Sequence, residues 1–166
     1  MKQRFASLLL CLLTLFFVVG CAAPIPSPES ADIPRWNGRL SVRVEATASM
    51  ASQSFSSAFE LQGKAERGQL LFYTPLGSTA AAIAWTPEQA SLRSGSDIQS
   101  FSNIDALIAQ VLGTPVPVSA LFAWLAGDLS SLDGWQVDQS QFDIGKITAR
   151  RTSPAPQAEI RVILEP

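Results

Sequence analysis

The sequence predicts a mainly-β fold with a minority of helix (α+β): a single curved antiparallel sheet whose concave face is covered by two short helices. Three observations carry this. From Trp36 onward apolar and polar residues alternate at period two, the pattern of strands with one buried face. Successive runs are joined by short connections rich in Gly, Pro, Ser and Asp, which make hairpins, whereas parallel pairs need long crossovers. Two segments in the second half instead carry apolar residues at helical spacing.

Taken in order, "RLSVRVE" places Leu40, Val42 and Val44 on one face and Ser41, Arg43 and Glu45 on the other. After the small, polar "ATASMASQ", "SFSSAFELQG" repeats the pattern with Phe55, Phe59 and Leu61. "GKAERG" leads into "QLLFYT", and "PLGS" turns the chain into "AAAIAW". Of the third strand, Leu70 and Phe72 are taken as inward, although its run of apolar residues leaves the choice of face open. "TPEQ" and "GSD" then introduce "ASLRS" and "IQSF". In "SNIDALIAQVLG" the residues Ile104, Leu107, Ile108, Val111 and Leu112 share a helical face, with Ser102 and Asp105 as an expected capping box and Gly113 as the stop. "VSALFAWLAG" does the same with Val118, Leu121, Phe122 and Leu125. Past the turn-rich "GDLSSLDG" come three more strands, "WQVDQ", "KITARR" and "AEIRVIL". Whether the helices complete a dry core or roof a cavity is not decided by this pattern.

The N-terminus has a different character. "MKQRFASLLLCLLTLFFVVGC" has a basic head, an apolar run from Phe5 to Val19, and a glycine before Cys21. That is a secretory signal, too short for the roughly 20 residues of a spanning helix. The cysteine after a small residue is the bacterial lipoprotein pattern, so residues 1–20 are expected to be removed and Cys21 to be lipidated. Ala22 follows in place of the aspartate that tends to retain such proteins in the inner membrane. Likeness to bacterial lipoproteins therefore implies the outer membrane, facing the periplasm. Residues 21–34, rich in proline and serine, are expected to form an extended tether, leaving 35–166 as one domain.

Composition excludes several functions. Once the signal is removed, ten basic residues face fourteen acidic ones, a net charge of −4; no basic footprint for nucleic acid is present. The chain has no histidine, and its two cysteines, Cys11 and Cys21, precede the domain. A Ser/His/Asp triad and a thiolate metal site are therefore impossible, and no metal or cofactor is expected. No GxSxG, GxGxxG, P-loop or HExxH occurs. A paired-carboxylate site among Glu60, Glu66, Asp128, Asp133, Asp138 and Asp143 stays open, although each reads as a solvated side chain. Trp36, Trp85, Trp124 and Trp135 read as core or rim.

Particular residues carry a likeness. The lipidation cysteine, "WNGRLSV", "LLFYTPLGSTAA", "VLGTPVPVSALFAWLAG" and "GWQV" occur in that order. Together they resemble the outer-membrane lipoprotein receptor family (LolB) over 21 to about 164. The resemblance implies a half-open barrel with a short-helix lid over an apolar cavity. It implies a monomeric, non-enzymatic receptor that accepts cargo lipoproteins from a soluble periplasmic carrier and inserts their acyl chains into outer-membrane lipid. Exposing one long acyl chain to water costs on the order of 10 kcal/mol at about 0.8 kcal/mol per methylene, so transfer needs such a shelter. Its expected lining is Leu40, Val42, Val44, Phe55, Phe59, Leu61, Leu70 and Phe72 from strands, with Leu107, Val111, Leu121 and Leu125 from helices. The turn Pro75, Leu76, Gly77 sets a leucine where hairpins carry polar residues, and is expected to dip into lipid. A leucine folded back onto the sheet is the other outcome. Two further functions stay open on the residues: an assembly lipoprotein with a filled core that binds a protein partner, and a carboxylate hydrolase.

Overall fold

The computed structural model describes residues 33–128, 132, 134–138 and 140–165. The expected signal segment, Cys21 and most of the tether lie outside them, as does Asp133. Six strands come first: β1 (Arg35–Val44), β2 (Gln53–Gly63), β3 (Gly68–Tyr73), β4 (Thr79–Trp85), β5 (Ala90–Ser94) and β6 (Asp97–Phe101). Two helices follow, α1 (Ile104–Leu112) and α2 (Val118–Leu125), and then β7 (Trp135–Asp138), β8 (Lys146–Arg151) and β9 (Ala158–Leu164). Every pairing is antiparallel. The order β6-β5-β4-β3-β2-β1-β9-β8-β7 makes one curved, open sheet, as expected for this α+β class. The helices carry the chain from one edge to the other, and β9 returns to pair with β1.

Period-two alternation fixes which face is inside. Along β1, Leu40, Val42 and Val44 are buried while Arg39 and Arg43 are exposed. Along β9, Ala158, Ile160 and Val162 are buried and Arg161 is exposed. In β3, Leu70 and Phe72 pack toward the core. Tyr73 lies on the outer face, where its hydroxyl donates to Glu60 Oε2 at 3.1 Å. Burial, with the hydrogen bond and negative charge of Glu60, raises the Tyr73 pKa above its ordinary value.

Gly38 sits in the middle of β1, paired with Phe59 on one side and Leu164 on the other. Its φ is +154°, and a Cβ there would collide with the carbonyl of Ile163. The missing side chain thus lets the β9 backbone close onto β1 at this point. Gly38→Ala is expected to destabilise the domain by about 3 kcal/mol, read from urea denaturation; a loss under about 1 kcal/mol would contradict this account.

Two local features differ from the sequence expectation. The cap of α1 is Asn103, whose Oδ1 accepts from the Ala106 backbone N–H at 2.8 Å. The Ser102/Asp105 box is displaced by one residue because asparagine caps at least as well as serine. A single turn of 3-10 helix at Phe142–Ile144 was not legible, since three residues give no period to read. Gly113 ends α1 in the left-handed region as expected.

Candidate functional site

Between the concave face and the helices lies a cavity of about 340 Å³. Of the twenty described residues that line it, only Gln53, Ser54 and Ser94 are polar. Its walls come from β1 (Leu40, Val42, Val44), β3 (Leu70, Phe72), β4 (Ala81, Ile83), α1 (Ile108, Val111, Leu112) and α2 (Val118, Leu121), among others. Outside the cavity lining, Phe122 of α2 packs in an aromatic cluster under the helices. Phe122 meets Trp36 edge-on at a centroid distance of 5.6 Å and Trp85 at 6.1 Å. Trp85 is fixed in turn, its Nε1–H donating to the Ala65 carbonyl at 2.9 Å.

One end of the cavity is the mouth. Phe55 and Val111 both line the cavity, yet are 42% and 43% exposed. The register explains why the mouth lies there. β2 runs past the end of β3, since Ala58 pairs with Tyr73, so Gln53, Ser54 and Phe55 are paired with β1 alone and have no strand on the β3 side. The three polar lining residues are exposed, where water can satisfy them; the other described residues of the lining are all apolar.

The β3–β4 turn stands at the same end. The Gly77 N–H donates to the Thr74 carbonyl at 2.9 Å and the Thr74 N–H to the Ser78 carbonyl at 2.8 Å. The Ser78 N–H also donates to Thr74 Oγ1 at 3.2 Å. Pro75 presets its own φ, and Gly77 takes φ +82°, a value glycine adopts at little cost. Leu76 sits on the outer corner of this closed turn and is 94% exposed.

Eight of the twelve residues expected in the lining are there: Leu40, Val42, Val44, Phe55, Leu70, Phe72, Val111 and Leu121. Phe59, Leu61, Leu107 and Leu125 do not line it; they are buried in the packed core. Alternation and helical spacing assign a residue to the inner face, but not its depth along the strand. Residues missed include Ile83 and Ala81 on β4 and Ile160 on β9. Their alternation was readable, and only the pairing of β9 with β1 brings Ile160 to the same space.

A larger hollow of about 490 Å³ lies against the β2–β3 connection, lined by Gln62, Lys64, Glu66, Arg67 and Gln69 with Ile33. Its charged side chains make it a hydrated surface groove. The described carboxylates weighed for hydrolysis, Glu60, Glu66, Asp128, Asp138 and Asp143, are dispersed over β2, the β2–β3 connection, the segment after α2, β7 and the 3-10 turn. None of these five lines the cavity. Asp138 accepts from the Ser140 backbone N–H at 2.9 Å, and this holds its pKa below the ordinary value, the wrong direction for a general acid. Among the described residues no group of three potential ligands for a metal ion occurs.

Residues 35–157 match the family model described as outer membrane lipoprotein LolB. The chain belongs to the LolB family. LolB relatives share modest identity over most of their length. A protein named outer-membrane lipoprotein LolB from Bordetella petrii is 29% identical, covering 87% of this chain and 85% of its own. Its namesake from Dechloromonas aromatica is 32% identical over 86% and 84%, and that from an Azoarcus species 28% over 98% and 95%. The chain is accordingly an outer-membrane lipoprotein with a part in lipoprotein localisation.

Proposed function

We propose that this protein accepts lipoproteins from a soluble periplasmic carrier, shelters their acyl chains in the cavity and releases them into the outer membrane. The observation that carries this reading is the cavity itself. Its described lining is apolar but for three exposed residues, it is open at one end, and it has the rigid, exposed Leu76 at that end. An aliphatic and phenyl lining attracts acyl chains without offering hydrogen bonds, so binding stays weaker than burial in the bilayer, and release can follow. A filled core, which the assembly-lipoprotein reading requires, leaves no such space. No chemical step is assigned to the chain.

In this reading residues 1–20 are cleaved and Cys21 carries the lipid, residues 21–34 are the tether and 35–166 the lipid-binding domain. The decisive experiment is transfer of a labelled lipoprotein from the carrier to liposomes with and without this protein. A rate independent of the protein would sink the proposal.

The tether length matters because the chain enters at the start of β1 while Leu76 lies near the opposite end of that strand. Ten residues of β1 span about 33 Å, and the thirteen residues from 22 to 34 reach at most about 45 Å. Deleting six of them should slow delivery to membranes several-fold while leaving acceptance from the carrier intact. Equal delivery by the shortened and full-length chains would refute that length requirement.

A further inference from the structure

The two helices over the cavity are held in different ways. α2 buries Val118, Ala120, Phe122, Trp124 and Leu125. α1 buries only Leu107 and leaves Val111 exposed at the mouth. Between them, the connection of residues 113–117 packs Val116 into the core and takes hydrogen bonds from one side chain of the sheet. Arg151, the last residue of β8, is 5% exposed. One terminal nitrogen of its guanidinium donates to the Pro115 carbonyl at 3.2 Å. The other donates to Thr114 Oγ1 and, at 2.8 Å, to the Pro156 carbonyl in the β8–β9 connection. The guanidinium carbon lies 5.7 Å from the Trp135 ring centroid, and Trp135 packs on Trp124 of α2 at 5.9 Å.

This is a costly arrangement. Among the described residues no carboxylate pairs with Arg151, its Nε has no hydrogen-bond partner, and burial lowers its pKa. An apolar side chain of similar volume would fill the space without that desolvation. What only a guanidinium supplies is a set of directional bonds to two segments at once, in a fixed fork. The bonded residue Thr114 directly follows Gly113, which ends α1 in the left-handed region (φ +66°). A fixed point therefore adjoins a glycine able to absorb a change in backbone angle.

We propose that Arg151 is the pin of the lid: it holds residues 114–117 and the start of α2 against the sheet, so that α1 alone swings aside to enlarge the cavity. The proposal rests on the acyl-chain reading of the cavity. At about 340 Å³ the space lies near the lower limit of ligand pockets, so the chains of a lipoprotein require it to widen. Of the two helices, α1 has the less buried surface to lose. Arg151 is thus a positioning residue; it does not touch the cargo.

The test is hydrogen exchange on the mature, lipidated chain in phospholipid nanodiscs, with and without a triacylated lipopeptide bearing a photoreactive acyl chain. In the native protein the lipopeptide should raise exchange in 104–112, leave 114–125 unchanged, and cross-link to cavity-lining peptides. Arg151→Met should speed exchange in 114–125 about tenfold, leave β1 to β5 protected, and lower cross-linking several-fold. A merely structural role would loosen those strands too. Unchanged exchange at 114–125 in Arg151→Met, or equal opening of α1 and α2 in the native protein, overturns the proposal. A lipopeptide that neither cross-links nor alters exchange refutes the acyl-chain reading instead, and Arg151→Met still decides the pin in the empty protein. Should Arg151→Met fail to fold, Thr114→Val removes a single partner. It should speed exchange at 114–125 about threefold, and no change there is equally fatal.

Discussion

Leu76→Glu is expected to leave acceptance of cargo from the carrier at the native rate and to reduce insertion into membranes by tenfold or more. The turn is closed by its own backbone and threonine hydrogen bonds, and Leu76 at 94% exposure touches little that folding depends on, so stability should stay within about 0.5 kcal/mol. What changes is the encounter with lipid. A leucine entering apolar lipid is worth about 1.5–3 kcal/mol, whereas a carboxylate brought to the same depth costs a few kcal/mol. A swing of only 1.4 kcal/mol already means a tenfold change in rate or occupancy. The measurement is a two-stage assay, in which cargo is first transferred from carrier to this protein and then from this protein to liposomes. Loss in the first stage would show that Leu76 serves the carrier and not the membrane. Unchanged insertion would remove any lipid role for the turn.

Filling the cavity should separate binding from folding. Ala81 on β4 faces the space and lies half-buried among its lining. Ala81→Trp would occupy much of the volume with an indole that needs only the rim for its N–H. Apolar area removed from water contributes up to about 3 kcal/mol at roughly 25 cal/mol per Å², and the strain of overpacking opposes it by about 1–3 kcal/mol. The melting temperature is thus expected to hold or rise slightly, while affinity for a fluorescent fatty acid falls by tenfold or more. Ala84→Trp, three residues on and exposed on the outer face of the same strand, is the control and should bind normally. Retained binding by Ala81→Trp would place acyl chains elsewhere on the molecule. A collapse in stability would mean that no usable space exists beside Ala81.

Most of the fold could be read from the chain because its determinants are local. Period two in "RLSVRVE" and "AEIRVIL", helical spacing in "IDALIAQVL", and glycine or proline at the breaks each act within a few residues. So does the exposure of Leu76, since a turn with proline ahead of it and glycine behind closes on itself and leaves the middle side chain outside. The inward direction of Leu40, Val42 and Val44 follows from the same alternation.

The tertiary structure decided what depends on residues far apart in sequence. Phe59 and Leu61 obey the same alternation as Phe55, yet they are packed away while Phe55 stands at the mouth. That difference arises from how far β2 runs past β3, a matter of register that no single strand encodes. Ile160 reaches the cavity because β9 pairs with β1 across more than a hundred residues of chain. In the sequence Arg151 is one more charge at the end of "KITARR". Only the assembled sheet buries it against Thr114, Pro115 and Pro156. Local sequence fixes which side of an element is apolar. Whether the facing apolar sides meet tightly or leave a cavity depends on the spacing between helices and sheet, which the whole chain sets together.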